Sequence, residues 1–188
     1  DILSGKVNPS GKLADTWAYK YEDYPSSEKF SHNNGNVETE LYDEGIYVGY
    51  RYFDTFEVPV RYGFGYGLSY TDFEITGCAL KAVSAEKIRV TATVRNTGNV
   101  SGKEVVQVYA SLPGGILEKE AHRLAAYAKT NELKPGEAQE VTMEVKMDGL
   151  TSYDEKRAAW ILESGFYGIW VGNSLASAKL CGGIKLDQ

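Results

Sequence analysis

The carboxylates are the first side chains with chemical potential. Asp15, Glu22, Asp23, Asp43, Glu44 and Asp54 crowd the first third of the chain. Two carboxyl groups about 5 Å apart, one of them held protonated, can cleave an acetal. No spacing here commits two of the six to one pocket, so they read as solvated loop charges. His32 and His122 stand far apart, and neither has a Ser or Cys nucleophile context. Ser69 lies in Gly-Leu-Ser-Tyr, which lacks the G-x-S-x-G elbow. The glycine-rich GFGYGLSY stretch has neither the Lys-Ser/Thr ending of a phosphate loop nor its strand–loop–helix setting. Its glycines read as backbone turns, and no cofactor is expected. Cys78 and Cys181 with two histidines do not give a four-ligand metal spacing. They read as two small thiols, with a disulfide tying the first strand of a sandwich to its last as the alternative. The expectation is therefore a chain with no catalytic, substrate-binding or metal-ligating residues.

Aromatic rings offer a second chemistry, because a flat ring can stack on a pyranose face. Trp17, Trp160 and Trp170 lead that set, with Tyr19, Tyr21 and Tyr24 behind them. The alternative is that they fill core and domain contacts, since each ring buries a large apolar area. Trp170, inside FYGIWVG, reads as a packing residue; Trp17 could face a neighbouring domain or a sugar.

The elements that must position these residues are strands. In Lys87–Arg95, Ile88, Val90, Ala92 and Val94 point one way and Arg89, Thr91, Thr93 and Arg95 the other. That period of two buries one face and wets the opposite one. Val141, Met143, Val145 and Met147 alternate in the same way against Thr142, Glu144 and Lys146. EVVQVYA (104–110) is apolar on both sides in part, as a central strand would be. Asn96–Asn99 and Leu133–Glu137 are turn signals, and Gly182-Gly183 predicts a bulge or corner in the final strand. Seven or eight short strands with turns every 8–12 residues predict an all-β fold over 72–188, a fibronectin type III or immunoglobulin-like β-sandwich. Residues 1–71 differ. They are loop-rich and dense in aromatics, which predicts an extended strap laying Tyr47, Tyr50, Tyr52, Phe53 and Phe64 onto the sandwich.

Composition narrows the partners. The 188 residues are 43% hydrophobic and 24% charged, ordinary for a globular protein. A net charge of -6, with scattered basic residues, argues against nucleic acid. No apolar run approaches the roughly 20 residues of a membrane span. The chain opens at Asp1 directly into DILSGKVNPSGKL without a signal peptide, which reads as a piece cut from something longer. Cytoplasmic and secreted locations both stay open.

DILSGKVNPSGKL, GIYVGYRYFDTF, RYGFGYGLSYTDF, VRNTG, GKEVVQVY and LKPGE, in that order, resemble the C-terminal part of glycoside hydrolase family 3. This is the β-glucosidase and β-xylosidase group. The resemblance implies that residues 1–71 hold the end of an α/β sandwich domain and an interdomain linker, and that 72–188 form the fibronectin-like domain. It also implies a parent enzyme that hydrolyses terminal β-D-glucosides or related β-glycosides with retention. The nucleophilic aspartate belongs to the family's barrel and the acid/base glutamate to its α/β domain, and neither motif occurs here. The fragment is thus expected to be a non-catalytic accessory domain whose partners are the barrel and α/β domains and, through them, a β-linked oligosaccharide. Its exposed apolar surface would favour self-association. A carbohydrate-binding module and an immunoglobulin-like adhesion module are the alternatives. On this view Ile2, Leu3, Val7, Leu13 and Trp17 should lie exposed where a neighbour has been removed.

Overall fold

The computed structural model describes residues 1–32 and 34–187. Two sheets face each other. One has three antiparallel strands in the order β3 (Phe73–Ser84), β4 (Lys87–Asn96), β7 (Ala138–Lys146). The other has four, ordered β11 (Lys179–Leu186), β10 (Gly165–Gly172), β5 (Val105–Ser111), β6 (Arg123–Lys129). The chain is mostly strand and folds as the all-β sandwich that the sequence predicts. A hairpin of β8 (Ser152–Asp154) and β9 (Ala159–Ile161) adds to it.

The core sits between the sheets as the alternation requires. Ile88, Val90, Ala92 and Val94 meet Val141, Met143 and Val145 from one sheet, and Val106, Val108, Ala110, Tyr167, Ile169 and Val171 from the other. Arg89, Glu144 and Lys146 point to solvent and Thr91 is half-exposed. Met147 leaves the strand and is buried in a 3-10 turn, Met147–Leu150. The irregularity predicted near Gly182 falls beside it: Ile169 faces Gly182 and Trp170 faces Leu180, so Cys181 is the extra residue. Asn96, expected only as a turn former, is a buried junction. Its carboxamide donates to the carbonyls of Val100 and Leu133 at 2.8 Å each, and its oxygen accepts from the Thr71 hydroxyl at 2.7 Å. In the Leu133–Glu137 turn Gly136 takes φ +81°, which a side chain would resist.

The sequence expectation for the two cysteines is overturned. Cys78 and Cys181 are not separate thiols but a disulfide joining β3 to β11, with Cα atoms 5.8 Å apart. Their separation of 103 residues hid the pairing, since only the packed sheets bring the two edges together.

Residues 1–71 are more structured than a strap. Their described residues contain a two-strand pair, β1 (Trp17–Ala18) with β2 (Val60–Tyr62), short 3-10 turns at Tyr21–Asp23 and Phe30–His32, and an α-helix, α1 (Tyr50–Thr55). Phe53 on α1 is buried, with Tyr24 and Tyr52 edge-on to it at 5.4 Å each. The segment therefore has a small ring cluster of its own.

Candidate functional site

The segment docks on the outward face of the four-stranded sheet. Tyr109 of β5 points away from the core between the sheets, yet it is 0% exposed. Tyr50 and Phe64 cover it edge-on, each with centroids 6.4 Å away, and they stack on each other at 4.5 Å. The Tyr109 hydroxyl donates to Gln107 Oε1, and burial pushes its phenol pKa up. Gly65, at φ +79°, lies so close to Gln107 that a Cβ there would collide with the carboxamide. Of the predicted contact rings, Tyr50 and Phe64 thus touch the sheet. Tyr47 and Tyr52 pack on Phe56 within the segment.

Polar contacts surround this aromatic centre. Lys12 pairs with Glu104 at 2.8 Å, both side chains nearly buried, and Asn173 Nδ2 donates to the same carboxylate at 2.9 Å. Thr55 Oγ1 accepts from the Ala121 amide and the Tyr50 hydroxyl accepts from the Leu124 amide, both at 2.9 Å. Glu120 is buried and takes a two-pronged bond from Arg123, at 2.7 and 3.0 Å, with Arg51 of α1 at 3.5 Å. Burial opposes its charge, but the Arg123 hydrogen bond, a backbone donor and the two guanidinium charges outweigh that and hold the carboxyl below its usual range. Arg123 also donates to the carbonyls of Gly149 and Thr151, so one ion cluster ties α1, β6 and the turn before β8.

The carboxylates weighed for catalysis mostly have partners of their own. Asp15 accepts from the Thr16 amide at 2.7 Å and Asp23 from the Lys20 amide at 3.0 Å. Asp43 pairs with Lys29, whose hydrogen bond lowers the aspartate pKa, the opposite of what a general acid needs. Glu22 is exposed and Glu44 half-exposed. Asp54 is brought 2.9 Å from His122 Nδ1. The His122 ring packs at 84° against Trp170, whose indole N–H donates to Ser111 Oγ at 3.1 Å. This chain of contacts clamps α1 to the sheet and makes Trp170 the packing residue expected of it. The side chain of His32 lies outside the described residues. Among the described residues, no group of three or more His, Cys, Asp or Glu is placed to hold a metal, and no helix is long and apolar enough to cross a membrane.

Several apolar side chains of the segment lie open to solvent. Leu3 is 100% exposed, and Ile2, Val7, Trp17, Leu41 and Tyr42 are exposed with it. Leu13 departs from expectation and is half-buried, because its amide donates to Tyr66 O at 2.8 Å and its carbonyl accepts from the Gly65 amide at 2.9 Å. Of the tyrosines, Tyr19 and Tyr21 are exposed, whereas Tyr24 is half-buried, its hydroxyl bonded to the Thr16 carbonyl and the Ala18 amide. Glu120, Arg51, Tyr109 and Gln107 escaped the sequence reading. The charge-dense EKEAHR stretch between two strands was the one available signal.

Known proteins resemble this chain along nearly its whole length. Residues 1–50 match the glycosyl hydrolase family 3 C-terminal domain, and residues 104–175 match the fibronectin type III-like domain. β-Glucosidase A of Butyrivibrio fibrisolvens is 46% identical over 200 residues, covering 95% of this chain and 24% of that protein. The β-glucosidase of Ruminococcus albus is 45% identical, covering 100% of this chain and 20% of that protein. The structure of β-glucosidase 3B from Thermotoga neapolitana in complex with glucose superposes with a TM-score of 0.92 at 41% identity, covering 100% of this chain and 26% of that one. The chain thus spans a fifth to a quarter of the length of these relatives. It belongs to glycoside hydrolase family 3, with matches to the family's C-terminal domain and to the fibronectin type III-like domain.

Proposed function

We propose that this chain is a non-catalytic accessory unit of a family 3 β-glycosidase that hydrolyses terminal β-D-glucosides or related β-glycosides with retention. Residues 1–71 complete the α/β domain and form the linker, and residues 72–188 are the fibronectin-like buttress. Its partners are the barrel and α/β domains of the parent, and it meets the β-linked oligosaccharide only through them. One observation carries this reading. The segment is fastened to the sandwich by a buried aromatic and ionic layer, yet it leaves Leu3, Ile2, Val7 and Trp17 in water. Apolar surface of that kind marks an interface when it is contiguous. The relatives bearing the name β-glucosidase support the choice of parent reaction.

The test is an assay of the purified 188-residue chain on an aryl β-glucoside, alongside sedimentation. The chain is expected to show no turnover above buffer and to self-associate through the open face, with Leu3→Asp weakening that association. Turnover that is lost on mutating Asp15, Glu22 or Asp54 would overturn the accessory reading.

A further inference from the structure

We propose that the β8–β9 hairpin is a sugar-stacking platform on which Tyr153 and Trp160 receive the ring faces of a single β-linked glucan chain. The two residues are direct partners in the register of the hairpin, so their side chains leave it on the same side. Their rings meet with centroids 5.3 Å apart and planes at 61°, each limiting the rotamers of the other. Trp160 nevertheless stays 69% exposed and Tyr153 48%. Rings of this size dominate the energetics of the cores and interfaces in which they are buried, and here two are held in water on a short, ordered element.

The closing turn is ordered as well. Asp154 Oδ1 accepts from the amides of Lys156 and Arg157 at 3.0 and 3.3 Å, and its Oδ2 lies 3.5 Å from Arg157 Nε. Lys156, Arg157 and Glu155 are exposed on that turn, supplying donors and an acceptor on the same short hairpin as the rings.

The chemistry of the occupant follows. A β-glucopyranose ring carries its substituents equatorially, so both faces present axial C–H groups and the rim presents hydroxyls. Apolar faces with a polar rim suit two exposed rings on a hairpin whose turn carries charged hydrogen-bonding groups. A specific protein partner needs about 1,000 Å² of buried surface, more than two side chains on a three-residue-per-strand hairpin supply. The 61° between the rings also prevents both from lying flat on one crystalline surface, which selects a soluble chain that can twist from ring to ring. The choice of a β-glucan rests on the proposed β-glycosidase parent; the platform itself does not depend on the docking role.

The experiment titrates the 188-residue chain with cellopentaose, read by tryptophan fluorescence and by NMR shifts of the Tyr153 and Trp160 rings. Saturable binding with shifts at both rings is expected. Trp160→Ala should weaken it by on the order of tenfold, the loss a single stacked ring commonly carries. Tyr153→Ala should weaken it less, and Trp17→Ala should leave it within about twofold. Absence of saturation, or shifts that avoid both rings, would overturn the proposal even if a variant failed to fold. So would a Trp160→Ala chain that binds as the parent does. A Trp160→Ala change that instead dissolves a dimer without altering cellopentaose binding would assign the hairpin to a second copy. The docking reading survives any of these results, because none of them involves the Leu3 face.

Discussion

The two outward faces of the sandwich are built from the same strand alternation but meet different surroundings. On the β3–β4–β7 sheet the outward residues of β4 are Arg89, Thr91, Thr93 and Arg95, and none of them is buried. Arg89 lies 3.9 Å and Lys87 3.2 Å from Glu144 across the strands, in pairs open to solvent. On the four-stranded sheet the outward residues of β5 include Gln107 and Tyr109, both buried beneath the first 71 residues. A sandwich has one core by construction; this one has a second buried layer on one side only. The difference teaches that the N-terminal segment is part of the folding unit, and that substitutions on the two faces should separate sharply in cost.

The largest effect is expected at the covered face. Tyr109→Ala removes a fully buried ring from beneath Tyr50 and Phe64 and should destabilise by about 3–5 kcal/mol, measured as the shift in urea midpoint at constant slope. A loss below about 1 kcal/mol would mean that the layer is loosely packed and the contrast between faces is weak.

Next comes the ion cluster beneath α1. Glu120→Ala strands Arg123 without its two-pronged partner and should cost about 2 kcal/mol, below the range for a fully buried pair because Arg51 reaches solvent. The sign of its pH dependence follows from the lowered folded pKa. An unfolded glutamate takes up its proton near pH 4.3, before the folded one does. The stabilisation is therefore complete at neutral pH and is lost as pH falls below about 5 towards the folded pKa. Glu120→Gln should flatten that acid limb of the stability curve. A limb unchanged by the substitution would remove Glu120 from the account.

The smallest effect belongs to the open face. Arg89→Ala should change stability by less than about 0.5 kcal/mol in the same urea titration, since only solvent-screened charge is lost. A cost comparable to Tyr109→Ala would erase the comparison.

The same contrast explains what could be read from the sequence. Ile88, Val90 and Val94 were legible because their strand separates core from water, so chemistry alternates along it. The strand around Tyr109 was legible as central but not as double-faced, because apolar residues on both sides do not say what covers them. Strand β6, RLAAYAK, went unread: its alanines carry little pattern and its residues are mostly half-buried. Helix α1 is six residues long, too short for a helical period to declare itself. Asp54 and His122 were each noticed, but 68 residues separate them and nothing local announces their contact. The family phrases located the piece within its enzyme. They did not show that its first third is fastened to the sandwich through Lys12–Glu104 and Arg51–Glu120.

The most direct measurement of the central claim makes one substitution in two settings. Leu3→Asp is introduced into the isolated chain, and into Ruminococcus albus β-glucosidase whose matching fifth has been replaced by this chain. Leu3 is fully exposed here, so at a dilution where sedimentation finds only monomer the isolated chain should keep its melting temperature within about 1 °C. The grafted enzyme should lose several °C of melting temperature together with aryl β-glucosidase activity, because the charge would then be buried against the domain that the face receives. Equal indifference in both settings, with the graft active, would contradict the claim that this face is a docking surface.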